Sequence, residues 1–183
     1  MTKKRYALLL AAAWLAVCFA AACIYAAKCG TYFIDADMSS ELVLARQLFR
    51  EGGALSKNWY YSSELRVLNN QLVFAPLFAL SDNWQLVRTL GTAITLAVMT
   101  ACYIFMVRGT GLSWTGTFAS AGVLLLPLSD SYTYAVLTGL FYIPHICISF
   151  LLFGLYCRYT GAGRKKPLWG VLAAVLAFIA GLG

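Results

Sequence analysis

Apolar residues gather into five windows near the roughly 20 residues that a helix needs to cross a bilayer. They cover residues 6–27, 84–107, 114–129, 134–157 and 168–183. The third is short, and the fifth stops at the chain end without a charged residue. Sixteen residues at about 1.5 Å each reach about 24 Å, against a hydrocarbon core of roughly 30 Å. The pattern predicts an all-α polytopic membrane helix bundle over residues 1–183, the front part of a longer protein.

Between the first two windows lies the only long polar region, residues 28–83. Asp37 is placed to cap a helix running to Arg50 or Glu51, with Gly52 and Gly53 ending it. Met38, Leu42, Ala45 and Phe49 share one face at helical spacing, while Arg46, Gln47, Arg50 and Glu51 lie elsewhere. A helix of this kind is expected to lie flat on the membrane as a juxtamembrane element. The run Asn58-Trp59-Tyr60-Tyr61-Ser62-Ser63-Glu64 follows, rich in residues that prefer the lipid–water interface. Leu72 to Leu80 is apolar but too short to span, and Pro76 interrupts it. It is expected as a surface or re-entrant element leading into the span at Trp84.

Composition agrees with lipid as the solvent. Of 183 residues, 61% are hydrophobic and 11% charged, too few charges to coat a soluble domain of this size. The net charge of +7 does not point to nucleic acid, because the basic residues sit mostly at span ends. With the N-terminus in the cytoplasm, Lys3, Lys4, Arg5, Arg108, Arg158, Arg164, Lys165 and Lys166 are all inside, as the positive-inside rule requires. All seven acidic residues then lie outside. The chain is thus expected in the cell membrane. The first window opens with Lys3-Lys4-Arg5 like a signal peptide. Its apolar stretch of 22 residues exceeds the roughly 7–15 of a signal core, so an uncleaved span is expected. None of the six cysteines pairs with another at metal-ligand spacing.

Asp35-Ala36-Asp37 directly follows the first span. A carboxylate at this depth can meet a lipid head group and a water-borne substrate, acting as a general base or coordinating a divalent metal with its neighbour. The plainer alternative is that Asp37 caps the helix and Asp35 is solvated. Glu41, one turn after Asp37, and Glu64, at the end of the aromatic run beside Tyr61, can line a pocket with Asp35 or be ordinary surface charges. Asp130, between the third and fourth windows, can face the same cavity or end a span. Arg88 can hold a phosphate at the outer surface or snorkel to head groups. His145, after Pro144 in the fourth window, is expected to pack, with a kink at Pro144 freeing a carbonyl for it. No phosphate-binding glycine loop, Gly-x-Ser-x-Gly, His-Glu-x-x-His or Cys-x-x-Cys occurs.

The arrangement over residues 1–135 resembles the start of a C-type (GT-C) membrane glycosyltransferase, a superfamily that includes protein O-mannosyltransferases, lipid A aminoarabinose transferases and oligosaccharyltransferases. The matching features are Asp35 and Asp37, the amphipathic 38–51 helix and the Leu72–Leu80 element. The run Tyr60-Tyr61-Ser62-Ser63-Glu64-Leu65 also resembles bacterial membrane proteins placed near that superfamily. Family members often show Asp-Glu where this chain has Asp-Ala-Asp. The resemblance implies a sugar donor on a polyprenyl phosphate, an acceptor met at the outer face, and Asp35 as the catalytic carboxylate. Asp37, Glu41, Tyr61, Glu64, Arg88 and Asp130 would serve in substrate binding. A transporter or flippase-like protein, and a structural membrane subunit without activity, are the competing classes. The first should place ionisable or helix-breaking residues mid-membrane, where the windows hold only His145, Pro144 and Pro127. The second predicts an acidic loop without a pocket.

Overall fold

The computed structural model describes residues 3–61, 69–161 and 167–180, and every regular element among them is helical. In chain order these are α1 (Lys3–Cys29), a 3-10 turn (Gly30–Phe33), α2 (Ala36–Glu51), α3 (Gln71–Leu77), α4 (Trp84–Gly109), α5 (Trp114–Val123), α6 (Asp130–Tyr132), a π-helical turn (Thr133–Thr138), α7 (Ile143–Gly161) and α8 (Pro167–Ala180). Helices α1, α4 and α7 are long and apolar enough to cross a membrane, and α8 is a shorter apolar helix. Much of their apolar surface is uncovered by the chain itself. Leu10, Val17, Phe153 and Phe178 are each at least 63% exposed, a pattern that suits lipid rather than water.

Two predicted spans differ from the observed elements. Residues 114–129 do not form one helix: α5 has 10 residues, about 15 Å of rise. It gives way to turns before Pro127, which lacks an N–H and disfavours helical backbone at the residue before it. Residues 134–157 are also divided. The chain runs from α6 through the π-helical turn, breaks at Gly139 and Leu140, and restarts at Ile143. Pro144 therefore lies in the first turn of α7, where its missing N–H breaks no helical bond, instead of kinking a longer span. His145 is exposed on the chain, so the expected packing role is not seen.

The described residues form two compact units. One comprises Met1–Ala22, Leu96–Leu126 and His145–Gly181. Within it the Trp14 indole packs over Gly122 and donates to the Ala119 carbonyl at 3.2 Å. Tyr103 meets Phe150 edge to face, and the Arg158 guanidinium lies 3.7 Å from the Phe105 ring centre.

The other unit comprises Cys23–Thr95 and Pro127–Pro144. Its core joins Met38, Leu42, Ala45 and Leu48 of α2 to Phe74, Leu77 and Phe78 in and after α3 and to Val87 of α4. Thus α2 exists over nearly the predicted range, and Gly52 closes it in the left-handed region (φ 69°) with its N–H on the Leu48 carbonyl. Its buried stripe contains Leu44 and Leu48 and leaves Phe49 39% exposed. The stripe packs against α3 within the protein. Arg46 pairs with Asp82 and lies 4.9 Å from the Phe78 ring centre, tying α2 to the segment before α4. Asn83 starts α4, accepting the Leu86 N–H through its side chain and the Val87 N–H through its carbonyl.

Candidate functional site

The start of α2 is built on Asp35, not Asp37. The Asp35 carboxylate accepts the Met38 N–H at 2.8 Å, closing the first turn as an N-cap. Its second oxygen accepts the Tyr134 hydroxyl from the π-helical turn. Asp37, two residues on, is exposed in the first turn of α2.

The π-helical turn has a local cause and a tertiary one. Thr138 caps it internally, its hydroxyl lying 3.1 Å from the carbonyls of Thr133 and Tyr134. The turn then unwinds through Leu140, which is fully buried with φ at 62°. A non-glycine residue in that region costs on the order of 1–3 kcal/mol. Two buried side chains from elsewhere hold the strained segment. Asn70, just before α3, donates to the Leu140 carbonyl at 2.9 Å and to Glu41 at 3.2 Å. Arg88 of α4 donates to the Thr138 carbonyl at 2.6 Å. The Leu140 carbonyl also accepts the Ile143 N–H at 3.2 Å, and the Thr138 carbonyl, left over where the helix breaks, finds Arg88 instead of being buried unpaired.

These elements enclose a cavity of about 560 Å³ lined by α2, the 59–61 segment, Asn69, Gln71 and the π-helical turn. Asp37, Glu41 and Tyr61, all expected at the site, line it. Tyr61 also accepts the Ser56 N–H through its hydroxyl oxygen, fixing the aromatic run. Asp35 is outside the lining and touches it through Tyr134. Asp130 is exposed and outside the lining, although its neighbour Ser131 belongs to it. Arg88 lies in a separate cavity. Glu64, with Ser62, Ser63 and Leu65, lies outside the described residues. Among the described residues, no three His, Cys, Asp or Glu side chains cluster as a metal site.

Sequence reasoning missed Tyr134, Phe141, Tyr142 and Asn70. The first three sat inside what read as one continuous span. The available signals were Gly139 and Pro144, both helix breakers within that window, and the Asn69-Asn70 pair ahead of Leu72.

The electrostatics follow from the cap. Hydrogen bonds from Met38 N–H and then Tyr134 OH favour the ionised form of Asp35 and hold its pKa below the usual carboxylate range. The same contact raises the Tyr134 phenol. A carboxylate with a lowered folded pKa contributes stability above its unfolded value, and loses it as pH falls through the folded one. Protection of the Met38 amide, measured by hydrogen exchange and corrected for intrinsic rate, should therefore persist through the ordinary carboxylate range and fall only below it. Loss setting in above that range would mean that the cap does not depend on the carboxylate.

Fold and site together define a class: an all-helical chain with three helices able to cross a membrane and an acidic, aromatic cavity assembled outside those helices' middles. No protein-family model, curated protein or solved structure matches the chain.

Proposed function

We propose that this chain is a membrane glycosyltransferase of the C type, or its N-terminal part, which handles a sugar in the 560 Å³ cavity. The carrying observation is the lining: carboxylates of Asp37 and Glu41, amides of Asn69 and Gln71, and the rings of Trp59, Tyr61, Tyr134, Phe141 and Tyr142. Sugars present apolar C–H faces that stack on aromatic rings. Their hydroxyl edges need paired donors and acceptors, which carboxylates and amides supply.

The donor in this reading is a polyprenyl-phosphate-linked sugar and the acceptor carries a hydroxyl. A carboxylate takes the hydroxyl proton as the oxygen attacks the anomeric carbon. The bond from that carbon to the phosphate oxygen breaks, and its electron pair leaves with the polyprenyl phosphate. One direct displacement inverts the centre. Asp35 was the expected base, but its two hydrogen bonds and lowered pKa make it a weak one. We assign the base to Asp37, which lines the cavity, and give Asp35 the task of positioning Tyr134. Incubating the full-length protein with polyprenyl-phosphate sugars and following release of polyprenyl phosphate tests the reading. Sugar transfer supports it, and no turnover with any such donor overturns it.

The accompanying topology has five crossings, the third made by α5 together with the non-helical residues 124–129 that follow it and the fifth by α8, with a cytoplasmic N-terminus and 28–83 at the outer face. In this topology α2 runs along the membrane, with Arg46 and Arg50 kept out of hydrocarbon. In a cysteine-free background, a cysteine at Asn58 should react with an impermeant maleimide in intact cells. One at Gly163 should react only after permeabilisation. The reverse pattern would refute the topology.

A further inference from the structure

Arg88 stands in the first turns of α4 and is 94% buried, with relative exposure of 6%. One guanidinium nitrogen is spent on the Thr138 carbonyl at 2.6 Å and lies 3.0 Å from the Met38 sulfur. The other, Nη1, is buried and has no hydrogen-bond partner among the described residues. A charged donor removed from water without a partner is costly, more so than a neutral one. Glu41 and Asp35 are close enough for their charge to act on Arg88.

The same residue lines a cavity of about 220 Å³, together with Ala26, Ala27, Ile34, Leu42, Trp84, Gln85 and Thr89 among others. No residue of this lining is shared with the larger cavity. Arg88 is its single charged member, Gln85 and Thr89 add polar groups, and the rest is apolar. The cavity lies where α1 ends and α4 begins, two helices able to cross a membrane. Gln85 bridges them through the Ala27 carbonyl at 3.3 Å.

We propose that this cavity binds the phosphate of a membrane phospholipid, with Arg88 as its cationic anchor. Arg88 lines the cavity as its one cation, and a guanidinium bonded to a phosphate oxygen makes a charge-assisted bond, the strong kind. The source is a lipid rather than free phosphate for two reasons. A phosphate dianion would meet one cation beside two carboxylates, whereas a phosphodiester carries a single negative charge. The apolar walls at Ala26, Ala27, Ile34 and Leu42 would in turn cover the glycerol and first acyl carbons of a lipid. The site does not depend on the glycosyltransferase reading, since it needs no sugar and no acceptor.

The test is native mass spectrometry of the full chain released from vesicles of phosphatidylglycerol, with a phosphate-free galactolipid as the control. Wild type should retain one phosphatidylglycerol and not the galactolipid. Arg88→Gln should weaken retention about tenfold or more, the scale of one lost charge-assisted hydrogen bond. That change also removes a bond to Thr138, so Ala27→Phe is the second variant. It fills the cavity, leaves Arg88 in place, and should abolish retention without lowering the melting temperature. Equal retention of the galactolipid, or wild-type retention by a folded variant, would overturn the proposal. So would displacement of the lipid by millimolar inorganic phosphate. Preference for a polyprenyl phosphate by more than tenfold would also overturn it, because the cavity would then belong to the transfer site.

Discussion

Asp37→Asn should lower sugar transfer by about 100- to 10,000-fold, the usual contribution of a general base, while leaving the fold intact. The side chain keeps its shape and loses only its capacity to take a proton. It is exposed, at the start of α2 but not its cap, and it lines the cavity, so no packing is lost. Asp35→Asn provides the comparison. Asparagine caps helices about as well as aspartate, so the Met38 contact should survive and the effect should be smaller, expressed through a displaced Tyr134. Tyr134→Phe should then reproduce the loss seen in Asp35→Asn, and combining the two should add little, because both remove one contact. The measurement is the initial rate of polyprenyl phosphate release by the full-length protein, with circular dichroism as the check on folding. Near-wild-type transfer by Asp37→Asn would remove the base assignment. A larger loss in Asp35→Asn than in Asp37→Asn would return the role to Asp35.

The second large effect concerns packing beneath the cavity. A Cβ at Gly91 of α4 would overlap the ring of Phe74, which is completely buried. The close approach seats α3 against α4, and α3 in turn follows Asn70, which holds both Glu41 and the Leu140 carbonyl. Gly91→Ala gains helix propensity of roughly 1 kcal/mol, but overpacking of a filled core costs about 1–3 kcal/mol. Gly91→Val, with two further methyl groups and poorer helix propensity, should be clearly destabilising. Its melting temperature in detergent should fall by several degrees, and Phe74→Leu in the same chain should restore part of the loss by making room. A Gly91→Val protein as stable as wild type would show that Phe74 can leave this position without cost.

Much of the fold was legible in the chain because its signals are local. An apolar run of more than 20 residues has few options besides a long helix, and α1 and α4 end within three residues of their predicted limits. Gly52 ends α2 because a residue in left-handed conformation is cheapest as glycine. The presence of a carboxylate-led helix after the first span was likewise legible, as were Asp37, Glu41 and Tyr61 as cavity candidates.

What the sequence alone could not decide depended on distant partners. The choice of Asp35 over Asp37 as cap is a two-residue ambiguity between acceptors on either side of Ala36, and the hydroxyl of Tyr134, 99 residues away, accompanies the outcome. The apolar stripe of α2 read as a lipid-facing surface because periodicity reports that a face is covered, not by what; α3 covers it. The window at 134–157 read as one span because hydropathy counts side chains and ignores backbone bonds. Its division at Gly139 and Leu140 requires donors for the carbonyls of Thr138 and Leu140; Arg88 serves the first, and Asn70 joins the Ile143 N–H on the second. Hydropathy and spacing thus determined which segments are helical and apolar, while tertiary contact decided where a helix breaks and which acids reach a cavity. The physical reason is that burying apolar surface depends on a segment's own composition, whereas a strained backbone persists only if remote groups satisfy it.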